Sequence, residues 1–135
     1  MPLFTWKDDY SVGVGAFDGH HKRLFDLINE LHDAMRTGKA REVLGAVLLS
    51  LLDYTRMHFG AEEERMMSLV YPGFAEHKKE HEKFVKEITD FKAKFDTANF
   101  TISIGLMSFL KDWLVNHIMV TDKKYTLFFN DKGVV

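Results

Sequence analysis

Apolar side chains recur every three or four residues along most of this chain, which is the period of one helix face. Four such stretches are separated by short segments rich in glycine, proline or polar residues. They cover residues 18–37, about 40–68, 74–95, and a last stretch from 101 or 103 to 128 or 129. No stretch of useful length alternates in the way a β-strand does. The pattern therefore predicts four amphipathic helices.

The residues at the ends of these stretches are those expected at helix ends. Asp18 is a suitable N-cap for the first helix and Gly38 a suitable stop, while residues 71–73 (Tyr-Pro-Gly) interrupt the chain before the third. Thr101 or Ser103 is a suitable cap for the fourth. Short connections favour an all-α, antiparallel up-down four-helix bundle.

Composition supports one globular domain and argues against several classes of partner. The chain has 135 residues, of which 46% are hydrophobic, and we expect one domain over 1–135 with an irregular N-terminal arm at 1–17 and the bundle at 18–130. A net charge of −2 gives no reason to expect nucleic acid or a membrane surface as partner. The longest apolar stretch, 43–52, is too short to span a bilayer, and the N-terminus lacks the pattern of a signal peptide. We expect a soluble, cytoplasmic protein.

Histidines occupy positions on the apolar faces of the predicted helices where the period demands leucine, isoleucine or phenylalanine. His58 and Glu62 are four residues apart, as are His77 and His81, so each pair shares one face of its helix. A buried carboxylate is costly unless it is paired or bound to a metal. One histidine on an apolar face is more often an ordinary core residue. Ligand spacings on four helices favour a metal site, and the absence of cysteine excludes thiolate ligands.

Two parts of this pattern leave alternatives open. His20 and His21 are adjacent, and the period of the first helix favours His21 only slightly as the inward residue. His117 and Asp122 are five residues apart, which is roughly 140° of rotation on a regular helix. Either the carboxylate reaches sideways or the helix is locally widened, as at a π-bulge. His32 is expected to be a boundary residue without a role at the metal. Solvent exposure is expected for Glu63, Glu64, Glu76, Glu80 and Glu82.

Seven candidate ligands are too many for one metal ion and suit two ions that share bridging carboxylates. They are His21, His58, Glu62, His77, His81, His117 and Asp122. If both carboxylates and an oxo or hydroxo group bridge, the histidines divide into three and two. One metal is then six-coordinate and the other five-coordinate with an open position. We expect the third-helix histidines and His117 at the first metal, and His21 and His58 at the second.

Four segments together resemble the hemerythrins, most closely the single-domain bacteriohemerythrins. They are residues 17–25, which contain His20-His21-Lys22, and residues 58–63, 71–81 and 113–122. In that family the histidine directly before the lysine is the ligand, which selects His21. Position 20 is commonly glutamine there, so the doubled histidine is a departure from the pattern.

The resemblance implies two non-haem irons (Fe2+/Fe3+) with an oxo or hydroxo bridge that bind dioxygen reversibly, for carriage, storage, delivery or sensing. It also implies an oxygen pocket lined by Phe59, Trp113, Leu114 and Ile118. Alternatives are a di-iron oxidase or peroxidase and an oxygen- or redox-sensing module of a larger receptor. Di-iron enzymes typically carry Glu-x-x-His pairs on their helices, and this chain contains none. We therefore expect that the protein is not an enzyme. Besides dioxygen, an oxygen-consuming enzyme or a redox partner is a candidate partner.

Overall fold

The computed structural model describes residues 5–38, 41–97 and 104–135, and the described residues contain helices and no strands. Ala40, Thr101 and Ser103, where helix ends were predicted, lie outside these ranges. The α-helices are α1 (Gly15–Arg36), α2 (Arg41–Ser68), α3 (Phe74–Thr97), α4 (Ile104–Asn116) and α5 (Thr126–Asp131). A π-helical turn (His117–Thr121) and a 3-10 turn (Asp122–Tyr125) connect α4 to α5, and a short 3-10 turn (Asp8–Tyr10) precedes α1.

The four long helices pack around one core, which confirms the predicted up-down four-helix bundle. Helix α2 packs against both α1 and α3, and α1 also packs against α4. Leu24, Leu48, Ile88 and Leu110, one from each helix, are essentially inaccessible to solvent. Among the described residues, no helix combines the length and apolar character needed to cross a membrane.

The first helix begins earlier than its sequence indicates. The predicted start at Asp18 is wrong, because α1 already begins at Gly15 and the arm ends with Val14 as N-cap. The Asp18 carboxylate lies within the first turn and accepts hydrogen bonds from the Val12 N–H (2.8 Å) and the Ser11 hydroxyl (2.6 Å). Asp18 thus anchors the arm to the helix instead of capping the helix.

The arm is fastened to the end of the bundle that includes α5. The Thr126 hydroxyl donates to the Val12 carbonyl (2.6 Å), and the Asn130 amide donates to the Gly13 carbonyl (3.0 Å). Gly13 has a φ of 73°, and a Cβ there would lie 2.7 Å from the Thr126 methyl group. Only glycine permits both this backbone conformation and this close approach. The arm therefore leads directly into the first turn of α1, next to Phe17.

The predicted break between the second and third helices is confirmed. Helix α2 ends at Ser68, and the Tyr71 N–H donates to the Met66 carbonyl (2.8 Å) in the turn that follows. Val70 occupies this turn with a φ of 57°, a conformation that β-branched residues rarely adopt. The turn reverses the chain, so that His58 and Glu62 on α2 face His77 and His81 on α3.

Candidate metal centre

The seven predicted ligand residues converge on one buried region between the helices. His21 comes from α1, His58 and Glu62 from α2, and His77 and His81 from α3, while His117 begins the π-helical turn after α4 and Asp122 directly follows that turn. None of the seven is more than 3% exposed. Five histidines and two carboxylates thus occupy the interior of the bundle, where isolated charges are costly.

These residues form two groups that share both carboxylates. One group contains His77, His81 and His117 and the other His21 and His58, and each also includes Glu62 and Asp122. Within each group, one potential ligand atom from every residue lies within 4.8 Å of all the others. This is the three-and-two division expected from the ligand count. We call them the three-histidine group and the two-histidine group.

Asp122 directs one carboxylate oxygen toward each group. Its Oδ1 lies 2.8 Å from Nε2 of His77 and 3.0 Å from Nε2 of His117, both in the three-histidine group. Its Oδ2 lies 3.2 Å from Nε2 of His21 in the two-histidine group. A carboxylate in this position can bridge two metal ions.

Glu62 uses its two oxygens differently. Its Oε1 lies 3.2 Å from Nε2 of His58 and 3.4 Å from Nε2 of His81, and thus faces both groups. Its Oε2 accepts a hydrogen bond from the Tyr125 hydroxyl at 2.6 Å. Tyr125 was not among the predicted site residues, although its position three residues after Asp122 places it close to the same helix face.

The five-residue step from His117 to Asp122 is accommodated by a local widening of the helix. Residues His117–Thr121 form a π-helical turn, and the Asp122 N–H donates to the His117 carbonyl five residues earlier. Such a turn brings residues five apart onto the same side of the helix, whereas a regular α-helix rotates them apart. Of the two alternatives, the widened helix is therefore the one observed.

The adjacent histidines of α1 have different environments. The His21 ring is buried in the two-histidine group, whereas His20 is half-buried outside both groups. Nδ1 of His20 lies 2.8 Å from Nδ1 of His58, the ring nitrogen that faces away from the centre. His32 is half-buried and lies three turns farther along α1, roughly 16 Å from His21.

Two glutamates contact the outer nitrogens of histidines in the three-histidine group. Glu63 Oε2 lies 2.9 Å from Nδ1 of His81, and Glu80 Oε1 lies 3.1 Å from Nδ1 of His117. The expectation that Glu63 faces solvent is wrong, because its side chain is only 19% exposed. Glu80 keeps 43% of its side chain exposed, in line with the expectation, but its carboxylate also contacts His117. A carboxylate at Nδ1 keeps the proton there and leaves the Nε2 lone pair free for a metal. Spacing within one helix could not reveal these contacts.

Electrostatic interactions in the cluster compensate for its burial. Burial lowers the pKa of His117, but the Asp122 and Glu80 carboxylates outweigh this effect and raise it to about 10. Burial raises the pKa of Asp122, but His117, His21 and His77 together hold it well below its ordinary value. The pKa of Glu62 is also lowered, because its histidine contacts outweigh burial and the neighbouring Asp122. The centre therefore carries buried negative charge that requires positive charge beside it.

Unpaired polar atoms at the centre fit bound metal ions. Glu62 Oε1, His77 Nε2 and both Asp122 oxygens are buried and make no hydrogen bond of good geometry, although His77 Nε2 and Asp122 Oδ1 are only 2.8 Å apart. The Nε2 atoms of His21 and His58 are 2.9 Å apart, and those of His81 and His117 are 3.1 Å apart. Two ligand atoms at right angles, each about 2.1 Å from one ion, are separated by about 3.0 Å. The residues thus fit two first-row transition metals with nitrogen and oxygen ligands.

The four residues predicted to line an oxygen pocket surround the histidines with apolar surface. The Phe59 ring stacks on His81 with centroids 3.7 Å apart, and the Trp113 ring stacks on His117 at 4.5 Å. Leu114 and Ile118 are buried on the helix turns around His117. Phe59 and Trp113 therefore pack mainly on the three-histidine group. The role of all four as pocket lining stays a prediction.

The hemerythrin HHE cation binding domain matches residues 12–126 of this chain. The chain belongs to the hemerythrin family. It is 41% identical to the bacteriohemerythrin of Methylococcus capsulatus, over 93% of this chain and 95% of that protein. It is 38% identical to the bacteriohemerythrin of Stenotrophomonas maltophilia, over 93% of this chain and 80% of that protein. A crystal structure of wild-type hemerythrin superposes with a TM-score of 0.88 at 41% identity, covering 92% of this chain and 95% of that one.

These relatives confirm the predicted family and the predicted bundle. The match begins in the arm and ends at Thr126, so it includes every element that contributes to the cluster. The buried histidines and carboxylates of this hemerythrin-family chain are suited to a di-iron centre.

Proposed function

We propose that this hemerythrin-family chain binds dioxygen reversibly at a non-haem di-iron centre, in oxygen carriage, storage, delivery or sensing. The observation that carries the proposal is the buried cluster in which three and two histidines share two carboxylates. The proposed ligands are His21, His58, Glu62, His77, His81, His117 and Asp122.

The unequal division of histidines supports a binding role. When bound, two irons with an oxo or hydroxo bridge would supply the electrons that dioxygen takes up on binding and returns on release. The three-histidine group offers five protein ligands and the two-histidine group four, counting both carboxylates in each. If the oxo or hydroxo bridge is counted as well, a metal in the two-histidine group has five of six coordination positions filled. The sixth position is left for a small external ligand.

The surrounding side chains have two tasks in this proposal. Apolar residues must keep water away, so that dioxygen leaves unchanged, and we propose Phe59, Trp113, Leu114 and Ile118 for this role. Tyr125, Glu63 and Glu80 must hold the ligands in position, through hydrogen bonds of 2.6 Å to Glu62, 2.9 Å to His81 and 3.1 Å to His117. Hydrogen bonds to ligand side chains fix their orientation.

We propose oxygen binding without enzymatic turnover. The ligand set is rich in histidine and lacks the Glu-x-x-His pairs of di-iron enzymes. An oxygen-consuming enzyme or redox partner, a cytoplasmic location and a single domain over 1–135 stay predictions.

The test combines iron analysis with visible spectroscopy. We expect about two irons per chain, and charge-transfer bands that appear when the reduced protein meets oxygen and disappear when oxygen is removed. His77→Ala should lose much of the iron, whereas His32→Ala should retain it. An iron-free wild-type protein would contradict the centre. Irreversible conversion accompanied by oxidation of an added substrate would instead favour an oxidase or peroxidase.

A further inference from the structure

His20 is placed beside the two-histidine group without belonging to it. Its Nδ1 lies 2.8 Å from Nδ1 of His58, while Nε2 of His58 faces the centre, 3.2 Å from Glu62 Oε1. His20 is half-buried and precedes His21 in the same turn of α1. One α1 residue therefore enters the cluster while its neighbour contacts the outer edge of a second cluster histidine.

Three aromatic rings surround the His20 imidazole. It packs edge-on against His58, with centroids 5.0 Å apart and planes at 85°, and edge-on against Tyr54 at 6.1 Å. The centroid of the Phe17 ring lies 5.9 Å from that of His20. These contacts from α1 and α2 restrict rotation of the ring, so the direction of Nδ1 toward His58 is set by packing.

The short contact between the two rings constrains where their protons lie. A neutral imidazole has one N–H and one lone pair. If His58 gives the Nε2 lone pair to a metal, its proton must be on Nδ1. Because the two Nδ1 atoms are 2.8 Å apart, Nδ1 of His20 must accept the hydrogen bond from His58 Nδ1–H. Nδ1 of His20 is therefore unprotonated.

We propose that His20 is a positioning residue for metal binding in the two-histidine group. Its Nδ1 accepts the hydrogen bond from His58 Nδ1–H and thereby orients His58 Nε2 toward the metal. The inference rests on the proposed function, because it requires a metal at His58. His81 and His117 have carboxylate partners, Glu63 and Glu80, whereas the ligand histidine that His20 contacts, His58, belongs to the two-histidine group. Loss of His20 therefore acts directly on the two-histidine group.

The experiment measures the two metal-binding steps separately in variants at position 20. Metal-free protein is titrated anaerobically with Fe2+ in the presence of a competing chelator, and both stepwise affinities are determined. His20→Leu and His20→Phe remove the acceptor, and the second keeps an aromatic ring for packing if the first does not fold. His20→Gln retains an acceptor oxygen. His32→Leu is the matched control on the same helix.

The three-histidine group offers five protein ligands and the two-histidine group four, so we assign the first binding step to the former and the second step to the latter. We expect removal of the acceptor to weaken the second binding step by roughly 10- to 100-fold and to leave the first unchanged. His20→Gln should stay within a few-fold of wild type, and His32→Leu should not differ from it. Equal affinities in His20→Phe and wild type would overturn the proposal, as would equal weakening of both steps or no rescue by glutamine. A wild-type chain that binds fewer than two irons would instead contradict the proposed function itself.

Discussion

Tyr125 donates a hydrogen bond of 2.6 Å to Glu62 Oε2, and both side chains are completely buried. The bond joins the 3-10 turn before α5 to the C-terminal third of α2. It occupies one carboxylate oxygen and leaves Oε1 directed toward His58 and His81. Burial and the negative charges of Glu62 and Asp122 raise the pKa of Tyr125 well above its ordinary value, so the phenol remains a donor.

Replacing Tyr125 with phenylalanine should destabilise the metal-free protein. The change removes the donor and leaves a buried carboxylate oxygen unpaired, so we expect a loss of about 1–3 kcal/mol in the free energy of unfolding. Urea denaturation followed by circular dichroism measures it. Tyr10→Phe, the same substitution in the arm, should lower the free energy of unfolding by less. Equal effects of the two substitutions would show that the hydrogen bond makes no special contribution.

Replacing Glu63 with glutamine should weaken metal binding. The carboxylate contacts Nδ1 of His81 at 2.9 Å, and an amide is a weaker acceptor that supports the metal-binding tautomer less well. We expect an affinity loss of roughly 10-fold or more at the three-histidine group, measured by chelator competition. The neighbouring Glu64 is exposed, so Glu64→Gln should have no effect. If both variants bind iron as wild type does, Glu63 has no supporting role.

Shortening Leu114 should accelerate loss of the oxygenated form. The side chain is only 4% exposed, and Leu114→Ala would open space for water one turn before His117. We expect a several-fold faster decay of the oxygenated spectrum in air, together with a stability loss of about 2–5 kcal/mol. Leu127→Ala, at a position 78% exposed, is the control. An unchanged decay rate would remove Leu114 from the proposed pocket.

The metal-free protein should lose stability in alkaline solution. The folded pKa of His117 is about 10, above the ordinary 6.5, so its protonation stabilises the fold fully below pH 6.5. That contribution disappears as the pH rises from 6.5 to about 10. The contribution of Asp122 depends on pH in the opposite direction. Its lowered pKa means that the ionised carboxylate stabilises the fold, and this stability is lost in acid. Urea denaturation at pH 6 and pH 9.5 tests this.

The control for this pH dependence is His117→Ala, which should show a smaller decrease between the two pH values because the titrating imidazole is absent. Iron-loaded protein should also show a smaller decrease, because metal ions replace the protons. A wild-type apoprotein that is equally stable at both pH values would contradict the role of His117.

Replacing Val70 with glycine should stabilise the protein. Val70 has a φ of 57° and is 81% exposed, so its side chain gains little from burial while its backbone is strained. We expect a gain of about 1 kcal/mol, which is the difference between the relieved strain and the entropy cost of glycine. Val43→Gly, near the start of α2, should instead destabilise by about 0.5 kcal/mol, because glycine is a poorer helix former than valine. Thermal unfolding of both variants measures the difference, and a destabilised Val70→Gly would contradict the strain.

Helix periodicity was sufficient for the architecture but not for every helix end. The period of apolar residues depends on local geometry alone, so the stretches at 74–95 and up to Ser68 agree closely with α3 and α2. The start of α1 was predicted too late because aspartate is a common N-cap residue. The Asp18 carboxylate instead accepts hydrogen bonds from Ser11 and Val12, which precede the helix. Only the path of the arm distinguishes the two roles.

The sequence by itself determined the four helices and five of the seven residues that converge between them, because helical spacing assigns His58, Glu62, His77, His81 and His117 to inward faces. The helical period did not assign the other two, since His20 competed with His21 and Asp122 lies five residues after His117. The tertiary structure decided which side chains meet across helices. It placed His21 inside the cluster and His20 at its edge, and it brought Glu63 to His81 and Tyr125 to Glu62. Such contacts depend on the rotation and axial offset of one helix relative to another, which spacing within a single helix does not encode.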